Sequence, residues 1–313
     1  MIQVHRDLNN LPVFKKAVIT IGTFDGVHLG HQQIIKLLKK EAADIGGETI
    51  IITFYPHPRK IVTDGKSDVK ILNTLEEKIE LLNKKEVGHL VVVAFNGEFA
   101  NQSAEEYIEN FLIKKFHPHT IIIGYDHRFG KNRLGDYHLL EKMGEKFNYY
   151  VKEIPEHVLN HVTISSSKIR EALLKNDIDT ANNYLGYKYF FTGKVVEGNK
   201  LGRTIGYPTA NLILEDEEKL VPGNGVYAVT LTIVQKEPLL KGMTNIGMRP
   251  TVNGTKRTIE VNIFDFDENI YSQSMRVKIH AHLREEVKFD GLNQLKEQLA
   301  KDKVNAQRQL ENI

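Results

Sequence analysis

The stretch GTFDGVHLGHQ, Gly22–Gln32, decides the fold of the first half of the chain. A short apolar run, Ala17–Ile21, precedes it, and an amphipathic pattern predicts a helix over Leu29–Ala43. The stretch is therefore the turn of a strand–turn–helix unit. Ligands in open α/β sheets bind at the carboxyl ends of strands, and helix N-termini attract phosphate. This turn is a candidate phosphate site.

Two histidines in the turn are the first candidates for chemistry. His28 and His31 are three residues apart, so their side chains share one face of the first helical turn. By themselves they also fit a pair of surface residues or an incidental metal-binding pair. Asp25 fits three roles: orienting the loop, binding adenosine, or an ordinary turn residue. The candidate phosphate-binding residues in the turn, besides the histidines, are Gly22, Phe24, Asp25 and Gly30.

Further apolar strands alternate with helices through the first half of the chain. Capping-box spacing at Thr74/Glu77 and Ser103/Glu106 predicts two of the helix starts. Strands that are apolar on both faces and separated by helices predict an α/β domain with a parallel, Rossmann-like sheet. The predicted strands are Thr49–Pro56, His89–Phe95, His119–Asp126 and a weaker Tyr149–Ile154, and a helix over Ser166–Leu185 completes the domain.

The pattern changes near Gly186, which predicts a second domain. Segments rich in aromatic and β-branched residues follow, separated by polar or glycine-rich turns and without a clear helix between them. They predict a mostly antiparallel sheet or small β-barrel, closed by a C-terminal helix over Leu292–Leu310. We expect one domain at residues 1–185 and another at 186–313. The four strand segments are YFFTGKVVEG, GVYAVTLTIV, RTIEVNIFDF and MRVKIHAHLR.

Composition excludes some classes of protein. The chain has 313 residues, no cysteine and a formal net charge of +2 from 42 basic and 40 acidic residues. The lack of cysteine excludes disulfides, zinc–thiolate sites and cysteine nucleophiles. Balanced charge argues against a nucleic-acid partner. No apolar signal core or membrane-spanning run is present, so we expect a cytoplasmic protein with no membrane partner.

Two motifs resemble those of the nucleotidyltransferase superfamily. His28, Gly30 and His31 match its HxGH signature, and ISSSKIR, Ile164–Arg170, resembles its ISSTxIR motif. The resemblance implies that hydroxyls of Ser166 and Ser167, together with Arg170, bind ATP phosphates. Ser167 stands where threonine is usual and Lys168 where arginine is common.

Two further segments resemble the prokaryotic FAD synthetases, the bifunctional riboflavin kinase/FMN adenylyltransferases. TFYPHPR, Thr53–Arg59, resembles their TFxPHP loop, and GYDHRFGKNRLGD, Gly124–Asp136, resembles their GxDFxFGxxRxGD segment. His127 replaces the usual phenylalanine. The flavin contacts that this resemblance implies are Asp126, Arg128 and Phe129.

A third set of motifs resembles the riboflavin kinase half of that family. GKVVEGNKLGRTIGYPTANL, Gly193–Leu212, is similar to its GxxxGxxxGfPTANl signature. The resemblance implies that a glycine loop covers the ATP phosphates, and that Thr209 and Asn211 hold Mg²⁺. Taken alone, PTAN also fits a turn or a helix cap. The loop glycines are Gly198, Gly202 and Gly206.

Glu260, in the segment RTIEVNIFDFD, resembles the family's catalytic glutamate. The resemblance implies that Glu260 accepts the proton of the ribityl hydroxyl. The sequence pattern around Glu260, taken alone, also fits a solvent-facing strand residue. Arg284 and Phe289 match residues that help to close the flavin pocket.

The order of both motif sets implies two consecutive reactions. ATP is the co-substrate of both, riboflavin is phosphorylated to FMN, FMN is adenylylated to FAD, and Mg²⁺ assists. A chain that retains one activity, with the kinase the better candidate, and a non-catalytic flavin-binding regulator are the alternatives. We expect a monomer or a weak homo-oligomer.

Overall fold

The computed structural model describes residues 1–63, 68–154, 164–198, 201–233, 238–251 and 254–313. The chain forms two compact units, Met1–Ser166 and Ser167–Ile313. None of the helices in these described ranges is long and apolar enough to cross a bilayer.

The first unit is built on a six-stranded parallel sheet, counted over the described residues. The strand order is β1-β4-β3-β2-β5-β6, which places the short β2 at the centre between β3 and β5. All four residues of β2 are buried, as expected for a strand covered on both faces. The strands are β1 (Gln3–His5), β2 (Val18–Ile21), β3 (Thr49–Tyr55), β4 (His89–Ala94), β5 (Thr120–Gly124) and β6 (Tyr150–Ile154).

The helices of the first unit connect these strands. Helix α1 (Leu29–Ile45) contacts β2, β3 and β5, and buries Ile35, Leu38 and Ala42. Its C-terminus is closed by Gly46, whose φ of 64° suits glycine. The remaining helices are α2 (Pro58–Val62), α3 (Leu75–Asn83), α4 (Gly97–Ala100), α5 (Ala104–Glu106), a π-helical stretch (Tyr107–Ile113), α6 (Lys114–Phe116) and α7 (Tyr137–Phe147).

The predicted α/β class is confirmed, with the parallel sheet in the first unit. Both capping boxes form: Thr74 and Glu77 at α3, and Ser103 and Glu106 at α5. The prediction missed β1, a three-residue strand too short to show a pattern.

The predicted helix over Ser166–Leu185 is wrong, because the segment forms two helices. Helix α8 (Ser166–Leu174) ends before Asn176, which has a φ of 63°, and Asp177 then caps α9 (Ile178–Leu185). The Asp177 carboxylate accepts from Thr180 N at 3.1 Å. Asn and Asp favour such left-handed and capping positions, which here outweigh the apolar periodicity.

The second unit contains a closed antiparallel barrel in the order β10-β11-β8-β7-β12-β9. Closure is completed by the pairing of β9 with β10. The predicted antiparallel barrel with a C-terminal helix is confirmed. The strands are β7 (Phe190–Val196), β8 (Ala210–Leu214), β9 (Gly225–Ile233), β10 (Leu240–Thr251), β11 (Gly254–Ile263) and β12 (Ser274–Arg284).

Two of these strands and one helix were absent from the sequence prediction. Strand β8 starts within PTANL, where proline and small residues hide the pattern, and β10 contains two glycines and a proline. A short helix, α10 (Leu201–Thr204), lies between β7 and β8. Residues 199–200 of the glycine-rich motif lie outside the described part of the chain.

Helix α11 (Leu292–Gln309) docks on the barrel through apolar and ionic contacts. Ala306 and Leu310 pack with Ala228, Met243 and Phe264. Hydrogen bonds also fix the orientation of the helix. Arg284 Nε and Nη2 donate to the Asp302 carboxylate at 2.7–3.0 Å, and Gln298 Nε2 donates to Asp302 Oδ1 at 2.9 Å. At the end of the helix, Lys241 Nζ donates to Leu310 O at 2.8 Å.

The ion pair between Asp302 and Arg284 should contribute strongly to the stability of the second unit, because Asp302 is only 1% exposed. Asp302→Ala would leave the Arg284 guanidinium without its carboxylate partner, and breaking such a buried ion pair costs about 3–5 kcal/mol. We expect a clearly lower unfolding midpoint for the barrel transition in thermal or urea unfolding. Glu297→Ala, which removes an exposed carboxylate from the same helix, should change the stability by less than about 0.5 kcal/mol. Equal effects from the two substitutions would contradict this role.

Candidate active sites

The turn between β2 and α1 has a strained backbone. Phe24 and Val27 have φ values of 47° and 36°, and Gly26 has a φ of 86°. Left-handed geometry is costly for a β-branched residue, and such strain persists only where surrounding contacts hold it. Gly22 lies against the ring of Phe24, since a Cβ there would meet that ring at 3.3 Å. The buried Phe24 ring therefore packs against the backbone of Gly22.

His28 and His31 lie together at the start of α1. His28 caps the helix, with Nδ1 accepting from His31 N at 3.4 Å. The two imidazole rings stack with centroids 3.7 Å apart. A Cβ on Gly30 would approach the His28 ring at 3.2 Å, so a side chain there would crowd it. The predicted pairing of His28, Gly30 and His31 at a helix N-terminus is present in the structure.

Asp25 orients the turn through backbone hydrogen bonds. It is 2% exposed, and its Oδ1 accepts from Leu72 N at 2.9 Å and Asn73 N at 3.2 Å. Its carbonyl oxygen accepts from Ser166 Oγ at 2.8 Å. Of the three roles open from the sequence, these contacts support that of orienting the loop.

A buried lysine also contacts the turn. Lys78, in α3, is 7% exposed, and its Nζ donates to Thr23 O at 2.7 Å and lies 3.3 Å from Thr53 Oγ1. The Thr53 hydroxyl donates to the same Thr23 carbonyl at 3.0 Å. Burial lowers the pKa of Lys78 to about 8, although the nearby Asp25 carboxylate opposes that shift.

The surroundings of His31 favour its neutral form. Burial lowers its pKa well below 6.5, and the charges of His28 and Lys78 lower it further. The buried Nδ1 of His31 has no hydrogen-bond partner among the residues that the structure describes. At neutral pH, His31 therefore offers a hydrogen-bonding ring and not a cation.

The ISSSKIR residues begin helix α8. Ser166 is half-buried and contacts the turn through Asp25 O. Ser167 is exposed on the first turn of the helix, and Arg170 is half-buried one turn later. Ser166 is the last residue of the first compact unit, and Ser167 and Arg170 belong to the second.

The proposed flavin segment follows β5. Asp126 and Arg128 are exposed, and Arg128 Nη1 donates to Asp136 Oδ2 at 2.7 Å. Phe129 is buried and packs against Tyr107, with ring centroids 5.1 Å apart. A Cβ on Gly135 would come within 2.4 Å of the Phe129 ring, so that position requires glycine.

His127 takes the place of a phenylalanine without introducing a charge at neutral pH. Burial lowers its pKa to about 4, and nearby Arg133 adds to the shift while Asp126 opposes it. The neutral ring stacks on Phe129, with centroids 5.9 Å apart. His127 therefore preserves aromatic packing at this position.

The barrel register brings the candidate base and metal ligand of the second unit together. Glu260 of β11 lies opposite Asn211 of β8. The carboxylate of Glu260 forms an ion pair with Arg249 on the neighbouring β10. On the same face of β11, Asn262 Nδ2 donates to Pro208 O at 2.7 Å and so fixes the PTAN segment.

The glycine-rich loop fits closely around this segment. A Cβ on Gly198 would lie 2.0 Å from Asn211 Nδ2, and one on Gly202 would lie 2.2 Å from Tyr207 O. Gly206 has a φ of 83°, which favours glycine in the turn after α10. Thr209 is half-buried immediately before β8. Gly198, Gly202 and Gly206 are thus required by packing and backbone geometry.

The two C-terminal candidates form a structural contact with each other. The guanidinium of Arg284 lies 5.8 Å from the centre of the Phe289 ring, besides its ion pair with Asp302. Arg284 therefore anchors α11, and this contact positions Phe289 beside the end of β12.

Sequence reasoning did not single out Lys78, Thr53 or Arg249. Lys78 directly follows the capping-box residue Glu77, where a lysine is ordinarily a solvated helix residue. Arg249 lies in the quoted segment NIGMRPT, but its contact with Glu260 depends on a strand that was not predicted. Burial and strand pairing, which the linear pattern does not contain, identify all three.

Comparison with known protein families gives two matches in chain order. A family model described as FAD synthetase matches residues 11–168, and one described as riboflavin kinase matches residues 185–310. The first match ends close to the boundary between the compact units, whereas the second begins at the end of α9.

Full-length relatives carry both descriptions in one name. A protein from Haemophilus influenzae named bifunctional riboflavin kinase/FMN adenylyltransferase is 38% identical over 302 residues, covering 96% of this chain and 97% of the relative. One of the same name from Bacillus subtilis is 36% identical over 303 residues, covering 95% and 94%. A crystal structure described as a macrolide-efflux protein from Streptococcus pneumoniae covers 98% of both chains, with 30% identity and a TM-score of 0.87.

The His31 environment can be tested by NMR. Because burial and two nearby charges lower its pKa, the His31 ring should show no protonation shift when the pH is lowered from 7.5 through 6.5, the ordinary pKa of histidine. A blocked histidine in the same tube supplies the reference curve, and His31→Gln assigns the resonance. A His31 midpoint that coincides with the reference would contradict the buried, neutral ring.

Proposed function

The chain belongs to the bifunctional riboflavin kinase/FMN adenylyltransferase family, and we propose that the residues described above divide its two reactions between the two modules. The enzyme phosphorylates riboflavin to FMN and adenylylates FMN to FAD, with ATP as the co-substrate of both reactions. The product of the C-terminal module is the substrate of the N-terminal module. We propose that the boundary between the two catalytic modules lies between residues 185 and 186.

Adenylyl transfer joins FMN to the α-phosphorus of ATP. A phosphate oxygen of FMN attacks the α-phosphorus, the α–β bridging bond breaks, and pyrophosphate leaves with that electron pair. The nucleophile is already an anion, so no protein base is required. The module must instead position the two phosphates and stabilise the negative charge.

His28 and His31 are suited to that task as hydrogen-bond donors. Since Nδ1 of His28 accepts from His31 N, its ring proton belongs on Nε2. Neutral His31 likewise presents an N–H without a charge. The resemblance further implies that Ser166, Ser167 and Arg170 bind phosphate oxygens. The guanidinium of Arg170 supplies a positive charge there.

Riboflavin phosphorylation starts from a neutral hydroxyl and therefore needs a base. Glu260 accepts the proton of the ribityl hydroxyl as its oxygen attacks the γ-phosphorus, and ADP leaves with the electron pair of the broken bond. The pairing of Glu260 with Asn211 across two strands is the observation that supports this assignment most directly. The Arg249 guanidinium orients the carboxylate.

The residues near Glu260 fit a magnesium ion held mainly by ATP. Thr209 and Asn211 offer uncharged oxygens, and the described residues contain no group of three or more His, Cys, Asp or Glu side chains that could hold a metal alone. Mg²⁺ takes few protein ligands and binds through substrate phosphates and water. We assign Thr209 and Asn211 to the ion. When bound, it neutralises phosphate charge.

The flavin contacts remain assignments from resemblance. Asp126, Arg128 and Phe129 lie in the segment that would receive FMN, and the Arg128–Asp136 ion pair holds this segment against α7. Phe289 is the better flavin candidate of the C-terminal pair, because Arg284 is committed to Asp302.

We place the enzyme in the cytoplasm, where both reactions have ATP, as a monomer or weak homo-oligomer. Its near-balanced charge of +2 gives no support for a nucleic-acid or membrane partner. Incubation with riboflavin, ATP and Mg²⁺ tests the function directly: FMN should rise and then convert to FAD. FMN that accumulates without FAD would indicate the kinase alone, and binding without turnover would indicate a flavin-binding regulator.

Glu260→Gln should remove the base without changing the size of the side chain. Loss of a general base costs about 10²- to 10⁴-fold, so FMN formation should fall by that factor while conversion of added FMN to FAD persists. Chromatographic separation of the flavins measures both steps. Glu215→Gln, at an exposed position just after β8, is the matched control. Parallel loss of both reactions in a folded Glu260 variant would contradict the division between modules.

His31→Gln should impair FAD formation and spare riboflavin phosphorylation. Removing a positioned donor from a phosphate site lowers the rate about 10²- to 10³-fold, so FAD formation from FMN should fall while riboflavin phosphorylation continues. His138→Gln changes an exposed histidine and serves as the control. An unchanged FAD rate would remove His31 from the adenylyltransferase site.

A further inference from the structure

Lys78 has an unusual position for a lysine. It is buried beneath the β2–α1 turn, and the mechanism above gives it no role. We infer that Lys78 is a positioning residue for adenylyl transfer: its ammonium group holds the strained turn in the geometry that receives phosphate and places a positive charge beneath the turn. This inference rests on the proposed FMN adenylyltransferase function of the first module.

The contacts of Lys78 form a closed hydrogen-bonded triangle. Nζ donates to Thr23 O at 2.7 Å and to Thr53 Oγ1 at 3.3 Å, while the Thr53 hydroxyl donates to Thr23 O at 3.0 Å. Thr23 directly precedes Phe24, the first residue of the turn with a positive φ. Lys78 thereby connects α3, the carboxyl-terminal part of β3 and the start of the turn.

The hydrogen bonds of Asp25 complete the support of the turn. The Asp25 carboxylate accepts from Leu72 N and Asn73 N, and Asp25 O accepts from Ser166 Oγ. The turn is thus held by the backbone amides of Leu72 and Asn73 and by the ammonium of Lys78. Since the strained residues cannot keep their geometry unaided, loss of either support should move His28 and His31.

The charge of Lys78 also acts on the phosphate site. Among the described residues, its titratable neighbours are the Asp25 carboxylate of the turn and the His31 ring of α1. Its hydrogen-bond partners, Thr23 and Thr53, are uncharged. Its pKa of about 8 leaves most of the ammonium protonated at neutral pH. The same charge lowers the pKa of His31. A bound triphosphate would favour the protonated lysine, because opposite charges stabilise one another.

The pH dependence of FAD formation separates this role from simple packing. For the wild type, kcat/KM with ATP should fall above about pH 8, because that ratio reports the free enzyme and the ammonium then loses its proton. Lys78→Arg should move the alkaline limb to higher pH, since arginine keeps its charge. Lys78→Met should lower kcat/KM about 10- to 100-fold at neutral pH, as expected when catalytic groups are misplaced, and should lack the limb near pH 8.

Two controls accompany these variants. Lys84→Met removes an exposed lysine near the end of the same helix, where it pairs with Glu80, and should leave the profile unchanged. The rate of riboflavin phosphorylation by the same samples shows whether the second module is still folded and active. If the wild type forms FMN but no FAD, the proposed adenylyltransferase function fails; if it forms FAD and Lys78→Met keeps the wild-type rate and profile, the inference about Lys78 alone fails.

A direct measurement decides the question if the variants do not fold. NMR of the lysine ε-carbons in the wild type, with and without a non-hydrolysable ATP analogue, gives the titration of the buried lysine. A lysine resonance with a midpoint near pH 8 that moves to higher pH with the analogue supports the inference. A buried-lysine midpoint unaffected by saturating analogue overturns it.

Discussion

The proposed adenylyltransferase site depends on a buried carboxylate that accepts hydrogen bonds from backbone amides of another segment. Asp25 accepts from Leu72 N and Asn73 N in a region closed to water. An unpaired polar group is expensive there, so the turn and the segment before α3 must fold against each other. The left-handed geometry of Phe24 and Val27 persists under that constraint, and the histidine pair occupies its position as a result.

In the barrel, the corresponding constraint is strand register. Strand β8 has only five residues, yet it lies between β7 and β11 in a closed sheet. Its register places Asn211 opposite Glu260 on one side and Val196 on the other. A shift of one residue would turn each of these side chains to the opposite face of the sheet. The contact of Asn262 with Pro208 O and the close fit of Gly198 against Asn211 both favour the observed register.

The sequence predicted well those features that repeat along the chain. Capping boxes and apolar strands predicted the parallel sheet, and the turn chemistry placed His28 and His31 at a helix start. Its failures have physical causes: the polar pair Asn176–Asp177 broke a helix whose apolar pattern continues, and the glycines and proline of β10 concealed a strand. Lys78 and Arg249 could not be found because their significance lies in burial and in neighbours distant along the chain.

The different nucleophiles explain why the proposed sites use different residues. An FMN phosphate already carries the charge needed for attack, and a carboxylate base beside it would add repulsion. The histidine turn accordingly presents the neutral ring of His31, and the Asp25 carboxylate accepts from backbone amides. A ribityl hydroxyl has a proton to lose, so the barrel presents Glu260 on a strand face next to an uncharged ligand, Asn211. Exchanging the two arrangements would impair both reactions: the phosphate would meet a like charge, and the hydroxyl would lack a base.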